Sequence, residues 1–407
     1  MTLALPNRSR RTSQLAERRR AALESAQKAR RTGRRRRYQE DVGRDPKPLG
    51  FYVIVAVTLA LVAFGLVMVL SSSSIVSFHR GRSPWYYFVK QVFWAGLGMV
   101  ALVTTYRMPL KVLHTTARVL PPFAVVLMLA AFTPGLGKTV NGAQAWLAIG
   151  DYTIQPSEFM KLALVVYGAD WLTRREKQLA DFKEAALPYL GWVGIGAFIA
   201  IAQGDLGSCL VITAIGMSML FLAGAPLRPL FGLSLVGALG FVTYARLDGD
   251  KWARFTSFLD IHGTRETDGY QVYQALISIS NGGLTGTGIG AGTGKWGYVP
   301  LAHTDFIFSI VGEEMGLLGV LGLLTLFVFL IYFAFQVALS CRHRFGFLVA
   351  AGIGCWFIVQ ISINIGGVIG LLPVTGLTLP FISFGGSSLI ASMAAAGLLM
   401  NVARRPR

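Results

Sequence analysis

Few residues in this chain could do chemistry, and they stand in four short strings. The first is residues 155–161, Gln-Pro-Ser-Glu-Phe-Met-Lys. Glu158 and Lys161 lie three apart at the start of an apolar run, which puts them on one helix face as an ion pair. Ionisable groups at membrane depth are costly, so each marks a candidate site; a pair that merely neutralises itself at the interface is the alternative. Gln155, Pro156 and Ser157 read as a helix start, with Ser157 at or beside the cap. The second string, residues 203–207, sets Asp205 in a turn between two apolar runs, as a helix cap or as a ligand for a cation or substrate. The third, residues 297–319, carries His303, Thr304 and Asp305 just ahead of an apolar run, and Glu313 and Glu314 two to three turns inside it. A carboxylate entering a partly dry cleft holds its proton more tightly, which suits a general base; Asp is also a favoured cap, and Asp305 stays open between the two. Glu313 and Glu314 divide in the same way between bundle hydrogen bonding and function. The fourth string, residues 371–388, is apolar but interrupted by Pro373, Pro380 and three glycines. Such backbone is tolerated at membrane depth where it lines a cavity or packs in protein. Ser387 and the free amides of this string complete a cleft suited to an anionic substrate, a phosphate-bearing one among them.

The elements that must position these strings are membrane spans. Of 407 residues, 53% are hydrophobic and 14% charged, too little polar surface for a soluble core of this length. Apolar runs near 51–70, 87–106, 119–134, 158–173, 188–203, 208–224, 229–245, 306–337, 345–368 and 384–402 each approach what a bilayer demands of a helix. The run at 306–337 is long for one span, and tilt or an extension beyond the bilayer would absorb the excess. The expected fold is therefore an all-α integral membrane protein of about ten transmembrane helices. Short alternating segments of a β-barrel are absent from the sequence. Residues 1–48 form a basic tail, with 15 Lys and Arg against 5 Asp and Glu, more than half of the net charge of +18. It is expected to be disordered and to lie near anionic lipids rather than to bind nucleic acid. No apolar stretch precedes its end, so the first span is expected to do the targeting in place of a signal peptide.

Arg107, Lys111 and Arg118, then Arg174, Arg175 and Lys177, then Arg228, Arg342 and Arg344, and the C-terminal arginines all fall on the tail's side when ten spans are counted. By the positive-inside rule both termini are cytoplasmic. Arg80 and Arg82, in the first outer loop, run against the pattern. The membrane domain is 49–403, residues 404–407 end in the cytoplasm, and one long extracytoplasmic loop spans 246–305. The strings at 135–139 and 292–296 each contain Gly-Lys but lack the glycine spacing and strand-to-helix setting of a phosphate-binding loop. Cys209, Cys341 and Cys355 have no metal-ligand spacing and read as small core residues.

Eight strings together resemble the SEDS family (shape, elongation, division and sporulation), the FtsW and RodA type. They are NGAQAWL (141–147), QPSEFMK (155–161), GDLG (204–207), RFTSFLD (254–260), GYQVYQAL (269–276), AHTDFIF (302–308), GEEMGLLG (312–319) and GLTLPFISFGGSS (376–388). The resemblance implies a peptidoglycan glycosyltransferase that polymerises lipid II at the outer face of the cytoplasmic membrane. Its implied partners are a class B penicillin-binding protein and other division or elongation proteins. The family's essential carboxylate falls on Asp305, its Glu-x-x-Lys pair on Glu158 and Lys161, and its motif Trp on Trp146. For the diphosphate, Lys161 is the first candidate, followed by Arg254 and Lys295. No nucleotide is needed, and a divalent cation, Mg or Mn, could bridge Asp305 and the diphosphate although no ligand cluster demands one.

The chain departs from the family pattern in three places. Gln144 and Ala145 stand where Arg is usual, Leu301 where an acidic or polar residue is usual, and Gly204 where Pro is common. The first departure puts in question how the diphosphate is held. Thr378 and the long tail lean toward the FtsW type, hence toward the division septum. A lipid II flippase and a non-catalytic division scaffold are the rival functions.

Overall fold

A computed structural model describes residues 48–404, except 141, 180 and 248, and only the backbone of 250, 251, 254 and 255. The basic tail expected over residues 1–48 thus lies outside the described residues apart from Pro48. The chain is a helical bundle. In order it runs α1 (Leu49–His79), α2 (Tyr86–Arg107), α3 (Leu110–Thr116), α4 (Leu120–Ala130), α5 (Pro156–Arg174), α6 (Phe182–Ala202), α7 (Leu206–Ala223) and α8 (Leu227–Leu247). There follow α9 (Gly249–Ser257), α10 (Tyr270–Gly282), α11 (Ile307–Ser340), α12 (Arg344–Val368) and α13 (Gly386–Ala403).

Among the described residues, eight of these helices are long and apolar enough to cross a membrane, and α3 with α4, bent by 51°, makes a ninth if the pair is one span. Helix α5, expected as a span from the sequence, is not among them: it carries Glu158, Lys161, Asp170 and Arg174 and buries most of its residues in the bundle. Charges inside a membrane protein face protein rather than lipid, and α5 obeys that rule.

The two ends of the bundle can be told apart by contacts alone. At one end Asp170 binds His114 at 2.6 Å and Arg174 at 2.9 Å, and Arg344 binds Glu176 at 2.9 Å and the Ala223 carbonyl. Asn401 donates to the Thr105 and Met108 carbonyls there, and Phe51 meets Tyr106. This basic end therefore gathers both ends of the membrane domain and the loops richest in Lys and Arg. The opposite end carries every string singled out for chemistry except the inner part of 155–161.

Two features depart from the expected picture. The long 306–337 run is not one tilted span: α11 breaks at Gly316, where φ is 63° and ψ −164°. The break frees the Glu313 and Glu314 carbonyls, which accept from the backbone N–H of Thr287 and Gly288 at 3.0 Å each. Leu317 and Leu318 donate in turn to the Gly283 and Leu284 carbonyls. The 283–288 segment thus supplies the partners that a broken helix lacks in lipid. A side chain at Gly316 would meet the Gly286 nitrogen at 2.3 Å, so only glycine fits.

The second departure is a small antiparallel sheet within 135–157: β1 (Gly137–Val140), β2 (Ala143–Ile149) and β3 (Tyr152–Ile154), ordered β1-β2-β3. Lys138 pairs with Trp146, and Ala148 with Thr153. The Asn141-Gly142 pair ahead of an alternating run is the hairpin signal that marks it in the sequence.

Sidedness follows from the basic end. With His262→Cys and Lys111→Cys placed separately in a cysteine-free chain, we expect a membrane-impermeant maleimide to label only the first in cells whose outer layers are permeable. Labelling of the second in intact cells would reverse the orientation.

Candidate active site

Helix α5 opens on Pro156, which suits the first turn because its missing N–H would be unpaired there. The first turn presents Ser157 and Glu158, and Lys161 follows one turn on. Lys161 Nζ lies 2.7 Å from Glu158 Oε1 and 2.8 Å from Gln360 Oε1 on α12, 5.5 Å from the Trp356 ring centroid, and its side chain is 0% exposed. Glu158 is buried too, and its Oε2 has no partner among the described residues. An ammonium in that position is compensated only by such a set of acceptors. Lys161, expected to face a diphosphate, is therefore spent inside the bundle. Trp356 Nε1 also donates to Gln360 Oε1 at 2.7 Å, and Gln360 Nε2 donates to the Thr378 carbonyl at 3.0 Å.

The pairing of helix starts above this layer brings Asp205 in. Asp205 caps α7 by accepting from Ser208 N at 2.9 Å, and its other oxygen accepts from Gln155 Nε2 at 2.8 Å. Of its two sequence readings, the cap is the one observed. Gly207 lies against residues 375–377, where a Cβ would sit 2.6 Å from the Thr375 carbonyl. Gly204 has a φ of +78°, which proline cannot adopt, so its departure from the family pattern has a backbone cause. Gln144, another departure, ties β2 to this turn by donating its N–H to the Gln203 carbonyl at 2.8 Å.

Asp305 lies in the loop ahead of α11 and is half-buried. It shares a small pocket with Phe306, Ile363, Asn364, Gly367, Val368 and residues 374–377. The start of α11 at Phe306 has no side-chain cap, so the capping reading of Asp305 fails. Burial, with the Asp205 charge added, pushes the Asp305 carboxyl up to about 7. Its neighbour His303 is driven the other way: burial, then the charge of Arg80, pushes the imidazole down to about 4. The His303 ring is wedged between Tyr87 and Phe384, at 4.7 and 5.9 Å between centroids, and its carbonyl accepts from Phe384 N at 2.9 Å. Leu301 and Phe381, with φ of 56° and 66°, flank this junction in a conformation that side chains seldom adopt.

The remaining candidates separate. Ser387 joins the site, with its Oγ accepting from the Gln155 N–H at 2.8 Å. Trp146 is half-buried on β2, outside the Asp305 pocket. Lys295 is buried away from it, 2.6 Å from Glu314 Oε1 and 3.0 Å from Ser71 Oγ; it is not an open cation for a diphosphate. Glu313 accepts from Thr293 N and Oγ1 and from Gly294 N, so both glutamates serve to hold the 283–305 segment. The Arg254 side chain lies outside the described residues. Arg80, Arg82 and Lys90, which ran against the charge pattern or escaped it, gather at the rim around Tyr86 and Tyr87: Arg80 donates to Tyr87 Oη at 2.7 Å, and Arg82 and Lys90 lie over the Tyr86 ring.

Gln360 and Asn364 are the site residues that the strings did not reveal. Their signal was present, as polar side chains at four-residue spacing inside an apolar run. Asp205 is engaged by protein donors, and no group of three His, Cys, Asp or Glu side chains gathers among the described residues.

The profile of the FtsW, RodA and SpoVE family, described as a cell cycle protein, matches residues 51–407. The stage V sporulation protein E of Bacillus subtilis is 36% identical over 355 residues, 87% of this chain and 97% of that protein. A probable peptidoglycan glycosyltransferase FtsW of Geobacter sp. is 34% identical over the same shares of the two chains. Among solved structures, a chain of a peptidoglycan synthase complex described as coordinating polymerization and crosslinking superposes with a TM-score of 0.71 at 29% identity, covering 87% of this chain and 97% of that one. The rod shape determining protein RodA of Thermus thermophilus superposes at 0.64, with the same identity and coverage. With the motifs, the helical membrane fold and these matches in agreement, the chain belongs to the FtsW, RodA and SpoVE family, the SEDS family that its strings resemble.

Proposed function

We propose that this protein is a peptidoglycan glycosyltransferase that polymerises lipid II at the outer face of the cytoplasmic membrane. The observation that carries the reading is Asp305: an uncapped, half-buried carboxylate whose proton affinity is raised to the neutral range, where a general base works best. In the reaction a sugar hydroxyl of the acceptor attacks the anomeric carbon of the donor. The new glycosidic bond forms as the bond to the undecaprenyl diphosphate breaks. Asp305 takes the hydroxyl proton, and the diphosphate leaves with the electron pair of the broken bond. Burial, then the charge of Arg80, holds the His303 imidazole at about 4, which makes it a weaker base than Asp305, and its ring is packed between Tyr87 and Phe384. With Lys161 and Lys295 buried, Arg80, Arg82 and Lys90, which gather around Tyr86 and Tyr87, are the candidates among the described side chains to meet the diphosphate.

Relatives named as probable peptidoglycan glycosyltransferases support the activity. The complex described as coordinating polymerization and crosslinking supports a cross-linking partner, a class B penicillin-binding protein. FtsW-named relatives favour work at the division septum, although the sporulation protein is as similar. The flippase alternative needs a polar route through the bundle, whereas the polar groups of the Glu158–Lys161 layer are engaged with one another and with Gln360, which Trp356 also binds.

Purified protein incubated with lipid II, alone and with its partner, tests the proposal by glycan length. Asp305→Asn keeps the shape and the local hydrogen-bonding capacity of the residue but not its basicity. We expect it to fold and to bind its partner while polymerising on the order of 10²–10⁴ more slowly; wild-type rates would remove Asp305 as the base. The base must be ionised, so the reactive fraction grows as pH rises through the Asp305 value of about 7. We therefore expect kcat/KM to fall by about tenfold per pH unit below that point and to level off above it. A rate flat from pH 5 to pH 8 would contradict the assignment.

A further inference from the structure

One polar feature inside an apolar helix has no part in the chemistry above. On α12, Trp356, Gln360 and Asn364 recur every fourth residue and so share one face. Gln360 Oε1 accepts from Lys161 Nζ at 2.8 Å and Trp356 Nε1 at 2.7 Å, while Nε2 donates to the Thr378 carbonyl at 3.0 Å. Two donors on one side and an acceptor on the other permit a single orientation of the amide. One turn further on, Asn364 Nδ2 spends both hydrogens on backbone carbonyls, that of Leu377 at 2.6 Å and that of Asp305 at 2.9 Å. Both residues are buried, and Asn364 is only 5% exposed. The neighbouring carbonyls of 377 and 378 are thus held by consecutive rungs, and the second rung also holds residue 305.

We propose that Gln360 and Asn364 are positioning residues, a polar strut through which the buried Glu158–Lys161 pair holds Asp305 against the 374–377 wall. The inference rests on Asp305 as the base. Residues 374–380 have no helix or strand to satisfy their carbonyls, and at this depth each needs a donor from protein. The strut supplies donors that fix both the wall and the loop bearing the base. Glu158 and Lys161 need not touch substrate in this arrangement: they lock the amide that begins the strut. Misplacing a catalytic group by about 1 Å costs on the order of 10²-fold in rate, so loosening either rung is felt in turnover rather than in substrate affinity.

The test is steady-state polymerisation of lipid II by the full chain, with kcat and KM measured separately and rates normalised to folded protein. Gln360→Met and Asn364→Leu remove the amides; Gln360→Glu and Asn364→Asp keep the shape and lose the donors, and serve if the apolar variants fold poorly. We expect kcat to fall on the order of 10²-fold with KM within about threefold of wild type. The swap of Glu158→Lys with Lys161→Glu should behave alike. It keeps the ion pair but forces Gln360 to turn its amide, setting Oε1 against the Thr378 carbonyl. A swap or a donor-deficient variant with wild-type kcat overturns the strut. A raised KM at unchanged kcat overturns it in favour of substrate contact, and a loss that vanishes on normalisation leaves the residues purely structural. Full activity in Asp305→Asn would instead strike the base assignment, and absence of polymerisation by the wild type would strike the function itself.

Discussion

A single constraint organises this protein: the Lys161 ammonium lies at the centre of a membrane bundle and must be neutralised there. In low-dielectric surroundings an unpaired charge costs several kcal/mol, so α5 and α12 are locked at the one separation that lets Glu158 and Gln360 reach it. That requirement fixes the amide of Gln360, and the amide fixes Thr378. Helix packing in lipid has little hydrophobic force to rely on; here buried polar contacts supply the specificity instead.

The same economy of donors governs the broken backbone around the site. Lipid offers no hydrogen bonds, so every non-helical carbonyl must find a protein donor. The 283–288 segment does this for the Gly316 break, and α12 does it for residues 377 and 378. Lys295, Glu314 and Ser71 then pin the long loop to α1, and Glu313 gathers the amides of Thr293 and Gly294. Asp305 is carried on a loop, yet it is held from both directions. A base proposed at Asp305 would thus be held by hydrogen bonds to its own backbone and to the wall it faces.

The electrostatics divide between the two ends. Buried carboxylates are engaged by lysine, arginine, histidine, amides or hydroxyls, whereas half-buried Asp305 shares its pocket with residues of α12 and of 374–377 and feels the like charge of Asp205. Its environment therefore raises the proton affinity of the carboxyl above the ordinary carboxylate range, to about 7. Arg80, Arg82 and Lys90 gather around Tyr86 and Tyr87, and the two arginines interrupt the positive-inside pattern.

The helical multi-pass membrane class, the clustering of basic loops at one end and the place of Asp305 at a loop-to-helix junction were all legible in the sequence, although about ten spans were expected and eight or nine helices qualify among the described residues. These follow from local quantities: runs of apolar residues, charge in short loops, and motifs read in order. Asp205 as a cap was also legible, because a cap needs only the next few residues. The sheet at 137–154 could have been read from Asn141-Gly142, but its strands are short and lie among longer apolar signals. Tertiary structure alone decided the rest. Lys161 and Lys295 looked alike as cations beside Gly-rich or helical strings, and only the bundle shows both sealed by acceptors from distant helices. The break at Gly316 was hidden because the sequence stays apolar through it; it exists because 283–288 offers donors from elsewhere in the chain. Gln360 and Asn364 were unremarked polar residues until α12 was set against residues 377 and 378. A hydrogen bond between segments far apart in sequence leaves no spacing to read, and that is why the residues that hold the base were visible only in the fold.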